Sequence, residues 1–144
     1  MTDFSVMGCY YFYIKKERIL KMSISIITDE EKITAYLCGE LDHHTAKDFR
    51  MEIDKAIEEN FEIKKVYIDF SGITFMDSSG IGLIMGRYKL LHAKDGVLFI
   101  QNPPDYIARV MNIAGVNRLA KIVYVAAGCD ENEISAKGEK VNED

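Results

Sequence analysis

From Met22 onward the apolar positions alternate between a two-residue and a three-to-four-residue rhythm. "SISIIT" (23–28) and "ITAYLCG" (33–39) flank a charged turn, Asp29 to Lys32, which predicts a hairpin of two strands. In "TAKDFRMEIDKAIEENF" (45–61) Ala46, Phe49, Ile53, Ala56, Ile57 and Asn60 fall on one helical face, with Thr45 and Asp48 read as its capping pair. "KVYIDF" (65–70) is apolar and β-branched without alternation, the pattern of a strand buried on both faces. A loop and a second helix follow, whose core side is read as Ile81, Ile84, Met85 and Tyr88, with Arg87 pointing away from the core, either as a partner contact or as a solvated side chain. "GVLFIQN" (96–102) is a strand, Pro103 and Pro104 open a third helix that stops at Gly115, and "AKIVYVA" (120–126) is the last strand. A hairpin followed by βαβ alternation predicts an α/β fold, a mixed β-sheet of four to five strands with helices packed on it.

The two ends break the pattern. Residues 1–21 join an apolar run, "FSVMGCYYFYI", to a basic one, "KKERILK". That order is the reverse of a secretion signal, and the run is about half the ~20 residues a membrane span needs. Lys16, Glu17 and Arg18 are encodable as AAGGAGAGG, a purine-rich ribosome-binding sequence just ahead of Met22. The expectation is an extension over 1–21, either disordered or translated from upstream of a native start, and one domain over 22–128. Residues 129–144 carry six acids against two lysines and almost no apolar side chains, a polar tail in which no site is read.

Charge and cysteine content exclude several classes. A net charge of −5 and a pI near 5.2 oppose binding to nucleic acid or an anionic membrane surface. Cys9, Cys38 and Cys129 are odd in number and widely spaced, so neither a disulfide framework nor a zinc site is indicated, and a cytoplasmic location fits.

The chemistry concentrates in "FMDSSGIGLIMGRYKLL" (75–91). Asp77, Ser78 and Ser79 stand at the mouth of the second helix, where unpaired N–H groups and the positive end of the dipole tolerate a phosphate. Gly82 and Gly86 continue the row headed by Ser78, at a cost of about 0.8–1 kcal/mol each relative to alanine. Either close packing against the protein's own sheet or a smooth docking surface accounts for them.

Together with "CGELDHHTAK" (38–47), this segment resembles the anti-sigma factor antagonists of the STAS domain family, closest to those acting on the anti-sigma F factor of sporulation. The resemblance covers about residues 22–125. It implies a mixed sheet backed by helices and no enzymatic activity. It also implies a phosphorylation site at Ser78, modified by a partner that is both anti-sigma factor and serine protein kinase. The unphosphorylated form would bind that partner and release the sigma factor, and a PP2C-type phosphatase would restore it. Asp42, His43, Asp77, Ser78, Ser79, Gly80 and Gly82 become the candidate partner-binding residues.

Other readings of the same residues are weaker. Gly39 is read as turning the chain after the second strand, and Asp42 as able to cap the first helix. No metal or cofactor is expected, since adjacent His43 and His44 are read as diverging and no HExxH spacing exists. Ser78 lacks the GxSxG elbow of a hydrolase. Gly80, Gly82 and Gly86 loosely resemble a dinucleotide fingerprint, but about nine residues separate them from the strand ending at Phe70. Within the family, an antagonist in a stress-response sigma pathway is the alternative.

Overall fold

The computed structural model describes residues 22–125; residues 1–21 and 126–144, and the expectations placed on them, lie outside the described residues. The elements are β1 (Met22–Thr28), β2 (Lys32–Leu41), α1 (His43–Glu59), β3 (Lys65–Met76), α2 (Ser78–Ala93), β4 (Val97–Gln101), α3 (Asp105–Ala114), a 3-10 turn (Val116–Arg118) and β5 (Lys121–Val123). They form a five-stranded sheet in the order β1-β2-β3-β4-β5. β1 and β2 are antiparallel, joined by a turn in which the Asp29 carboxylate accepts the N–H groups of Glu31 and Lys32. The three remaining pairs are parallel. Because the order advances one strand at a time, right-handed crossovers place the helices on one face.

One core lies between that face and the helices. Ile33, Ala35 and Leu37 of β2, Val66, Ile68 and Phe70 of β3, and Leu98 and Ile100 of β4 meet Phe49 and Ile53 of α1, Leu83 and Ile84 of α2, and Ile107 and Met111 of α3. The opposite face holds the buried Asp69 carboxylate. It accepts the N–H and hydroxyl of Ser71, Gln101 Nε2 and Asn102 Nδ2, and Asn102 Oδ1 accepts the N–H of Val125. A buried charge is tolerable only with such saturation, and here it ties β3, β4 and the chain beyond β5 together.

Four local expectations are corrected. β3 does not stop at Phe70 but runs to Met76, so the loop before α2 is absent and a single residue, Asp77, joins strand to helix. Gly39 does not end β2; with φ of 109° it sits within the strand, at a register shift between Gly39 and Glu40. That is a β-bulge, which only a residue free to adopt positive φ occupies cheaply. The capping pair of α1 is Asp42 with Thr45, not Thr45 with Asp48. Asp42 Oδ1 accepts the N–H groups of His44 and Thr45 at 2.9 and 3.0 Å, and Thr45 Oγ1 accepts the N–H of Asp42 at 3.0 Å.

The buried face of α2 is the fourth. It consists of Gly80, Leu83, Ile84, Arg87 and Leu91, while Ile81, Met85 and Tyr88 are only half-buried. The helix is thus rotated from the face read in the sequence, and Arg87 is 6% exposed rather than solvated.

Candidate functional site

Parallel pairing of β2 and β3 places Leu41 opposite Met76, so the residues that follow them, Asp42 and Asp77, begin two helices side by side. The N–H of Asp77 donates to the Leu41 carbonyl at 3.1 Å and joins the two mouths. Both aspartates are N-caps; Asp77 Oδ1 accepts the N–H of Ser79 at 2.8 Å. Ser78 is the first residue of α2 and is exposed. Ser79 beside it is half-buried. The Ser78 hydroxyl therefore stands in solvent where the positive ends of two helix dipoles converge, a setting that accommodates an added phosphate locally.

The glycines separate into two kinds. Gly80 is buried, and a Cβ there would run into the side chain of Met76 and lie 3.1 Å from Leu41 Cδ2, so its role is internal packing beneath the site. Gly82 and Gly86 would meet nothing within 4 Å. Close packing against the protein's own sheet does not account for them. They flank a groove of about 390 Å³ between α1 and α2, into which α1 contributes His43, Lys47 and Arg50 and α2 contributes Ser79, Gly82 and Gly86. The absence of side chains at the two glycines leaves one wall of the groove smooth.

Arg87 also lines the groove, but as a buried residue where the sequence pointed it away from the core. Its Nε lies 2.8 Å from Asp54 Oδ1 of α1, and its Nη1 donates to the Leu83 carbonyl at 3.2 Å. The Nε–Oδ1 contact is an ion pair with poor hydrogen-bond alignment. Burial raises the Asp54 carboxyl above its ordinary range and lowers the Arg87 guanidinium, while the charge of each partner opposes the shift of the other. The pair pins α1 to α2 at the inner end of the groove. The spacing 80, 83/84, 87, 91 carried the signal, but an arginine in that row was read as surface.

The remaining sequence candidates are close by. His43 and His44 are exposed at the start of α1, and their rings do not diverge: the centroids are 4.1 Å apart. Among the described residues no three His, Cys, Asp or Glu side chains gather as metal ligands would. The strand-to-helix turn before Gly80 is tight, which removes the spacing objection to a dinucleotide fingerprint. A different one replaces it: Gly80, Gly82 and Gly86 all lie within α2, whereas that fingerprint needs glycine in the turn itself. Among the described residues no helix is long and apolar enough to cross a membrane.

The chain's similarities to known proteins converge on one group. The profile of the STAS domain matches residues 24–126. An anti-sigma F factor antagonist of Paenibacillus polymyxa is 36% identical over 102 residues, covering 69% of this chain and 79% of the relative. An anti-sigma-B factor antagonist of Staphylococcus aureus (strain NCTC 8325 / PS 47) is 25% identical over 103 residues, covering 72% and 94%. Among solved structures, the unphosphorylated anti-sigma factor antagonist SpoIIAA aligns with a TM-score of 0.64 at 27% identity, over 85% of this chain and 98% of that one. The phosphorylated form of the Bacillus cell fate determinant SpoIIAA aligns with a TM-score of 0.60 at 28% identity, over 73% and 93%.

Proposed function

The chain belongs to the STAS domain family, among its anti-sigma factor antagonists, and from that premise we propose that Ser78 is the switch that sets whether it holds its anti-sigma factor. The unphosphorylated form binds an anti-sigma factor that is also a serine kinase, and sigma factor is freed. Transfer of phosphate from ATP to the Ser78 hydroxyl ends that binding, and a PP2C-type phosphatase hydrolyses the phosphoserine to restore it. The pathway is sporulation-specific transcription in the cytoplasm. The domain performs no chemistry of its own.

The observation that carries this reading is the exposed Ser78 hydroxyl at the first turn of α2, with the Asp77 cap behind it and the mouth of α1 beside it. SpoIIAA, a similar protein, has been solved both with and without phosphate, which supports a modification that the fold tolerates. Magnitudes support it too. A phosphate brings about −1.5 to −2 charges to a surface shaped for a neutral hydroxyl. Unit charges at about 4 Å interact by roughly 1 kcal/mol in water and about 4 kcal/mol near a protein surface, and each 1.4 kcal/mol is tenfold in affinity. A loss of about a hundredfold or more follows.

Asp42, His43, Asp77, Ser79 and Gly82 lie along the first turns of the same two helices and form the partner's landing surface, with Gly80 supporting it from within. Ser78→Ala is expected to bind the anti-sigma factor and resist labelling by ATP, while Ser78→Asp fails to bind. A Ser78→Asp protein that binds as tightly as the wild type overturns the reading. The S. aureus relative supports a second reading, a stress-response sigma pathway. Capture of the partner from a lysate and identification of its sigma factor decide between them.

A further inference from the structure

On α1, His43, Lys47, Arg50 and Asp54 follow one another at three- and four-residue steps, a single row on the side that meets α2. Lys47 and Arg50 of that row line the groove, and Arg87 of α2 lines it from the other side. Among the described residues that line it, none is acidic. Asp54, the next residue of the row, is bound to Arg87 at 2.8 Å and attracts Arg50 as well. One carboxylate is therefore divided between two guanidinium groups, and Lys47, nearer the start of the helix, adds a third cation. Glu58, a further turn along α1, is exposed and does not line the groove.

The aspartates at the helix mouths do not offset this charge. The carboxylates of Asp42 and Asp77 are turned onto the backbone N–H groups that they cap. The groove is thus a locally positive site on a chain whose net charge is −5. A long polyanion such as nucleic acid is opposed by that net charge, whereas a short acidic segment needs only the few cations present. Shape favours such a segment as well. A Cβ at Gly82 or Gly86 would meet nothing within 4 Å, so a backbone can lie close to α2 while the long side chains of Lys47 and Arg50 reach its carboxylates from α1.

We infer that the groove between α1 and α2 receives an acidic segment of the anti-sigma factor, its carboxylates against Lys47 and Arg50 and its backbone along Gly82 and Gly86. This rests on the function proposed above and adds to it a contact apart from the Ser78 hydroxyl, with a chemistry of its own. Phosphate at Ser78 decides whether the partner is held, and the groove decides which partner is accepted: a segment that is basic at these positions is repelled.

The test measures the affinity of the unphosphorylated full chain for its cognate anti-sigma factor by calorimetry at low and high salt. Wild-type affinity is expected to fall as salt rises. Lys47→Glu, at an exposed position, is expected to lower the low-salt affinity about tenfold and to flatten the salt dependence. Lys65→Glu makes the same change in net charge on the sheet face away from the helices and is expected to match the wild type. Unchanged or tighter binding by Lys47→Glu overturns the inference, and so do equal losses in the two variants, which assign the effect to net charge. Each of these results leaves the switch at Ser78 standing. A wild-type chain that captures no anti-sigma factor overturns the function proposed above and this inference with it.

Discussion

The backbone N–H of Asp77 is bonded to the carbonyl of Leu41 at 3.1 Å, so two helices that follow neighbouring parallel strands start from a shared seam. Each start is capped by an aspartate, and the Ser78 hydroxyl emerges between the positive ends of both. A charge added at that hydroxyl would fall on a surface built from two elements.

The cap and the charge of Asp77 are separable. Asp77→Ala removes the acceptor of the Ser79 N–H and is expected to cost about 1 kcal/mol of stability, read as a lower denaturant midpoint with unchanged slope. Asp77→Asn retains a cap and should lose only a few tenths of that. If both variants lose anti-sigma factor binding equally, the aspartate's charge acts at the interface; equal loss of stability would contradict its role as a cap.

Three glycines in one helix should respond in opposite ways. Gly82→Ala and Gly86→Ala meet open space and are expected to stabilise by up to about 1 kcal/mol each through helix propensity, while weakening partner binding by roughening the groove wall. Gly80→Ala pushes into Met76 and Leu41 and should destabilise by about 1–3 kcal/mol, moderated by movement of the methionine. Urea titration of the three variants checks both signs at once.

Those glycines also show what was legible from residues alone. The hairpin, the strand at "KVYIDF", the Gly115 stop with its φ of 88° and the position of Ser78 follow from local periodicity and turn chemistry, and all are found. The rotation of α2 was not legible. Ile81 and Tyr88 outrank an arginine on any hydrophobic scale, yet Arg87 is inside because Asp54, thirty-three positions away, answers its charge. Nor did periodicity reveal that β3 extends to Met76, since Ser71, Gly72 and Thr74 read as a loop, while pairing with β2 through Leu41 holds them in a strand. The groove itself depends on two helices meeting, which no single segment encodes.

Breaking the Arg87–Asp54 pair from one side should be costly. Asp54→Ala leaves a buried guanidinium, with an expected loss of about 2–3 kcal/mol, below that of a wholly buried pair because the Asp54 side chain is 29% exposed. Asp54→Leu with Arg87→Met removes both charges and should recover most of it. A double variant as unstable as the single one would show that the pair contributes through its attraction and not through mutual desolvation.

The same pair predicts the sign of a pH effect. Burial raises the folded pKa of Asp54 above its ordinary 3.8, against the pull of Arg87 and Arg50, so the folded state binds the proton more readily than the unfolded chain. The stability this contributes is fully present below the unfolded pKa and is lost as pH rises through the raised folded value. Relative to Asp54→Asn, the wild type should therefore compare more favourably near pH 3.5 than near pH 6.5 in denaturant titrations. The opposite slope would mean that attraction to Arg87 outweighs burial.

Phosphate on the Ser78 hydroxyl is expected to govern partner binding. The full chain is incubated with its cognate anti-sigma kinase and ATP, the phosphate is located by peptide mapping, and the affinity of the modified protein for the kinase is measured. The expected result is a single phosphate on Ser78 and a loss of affinity of about a hundredfold or more. Phosphate on Ser79 instead, or full binding with Ser78 phosphorylated, would contradict it.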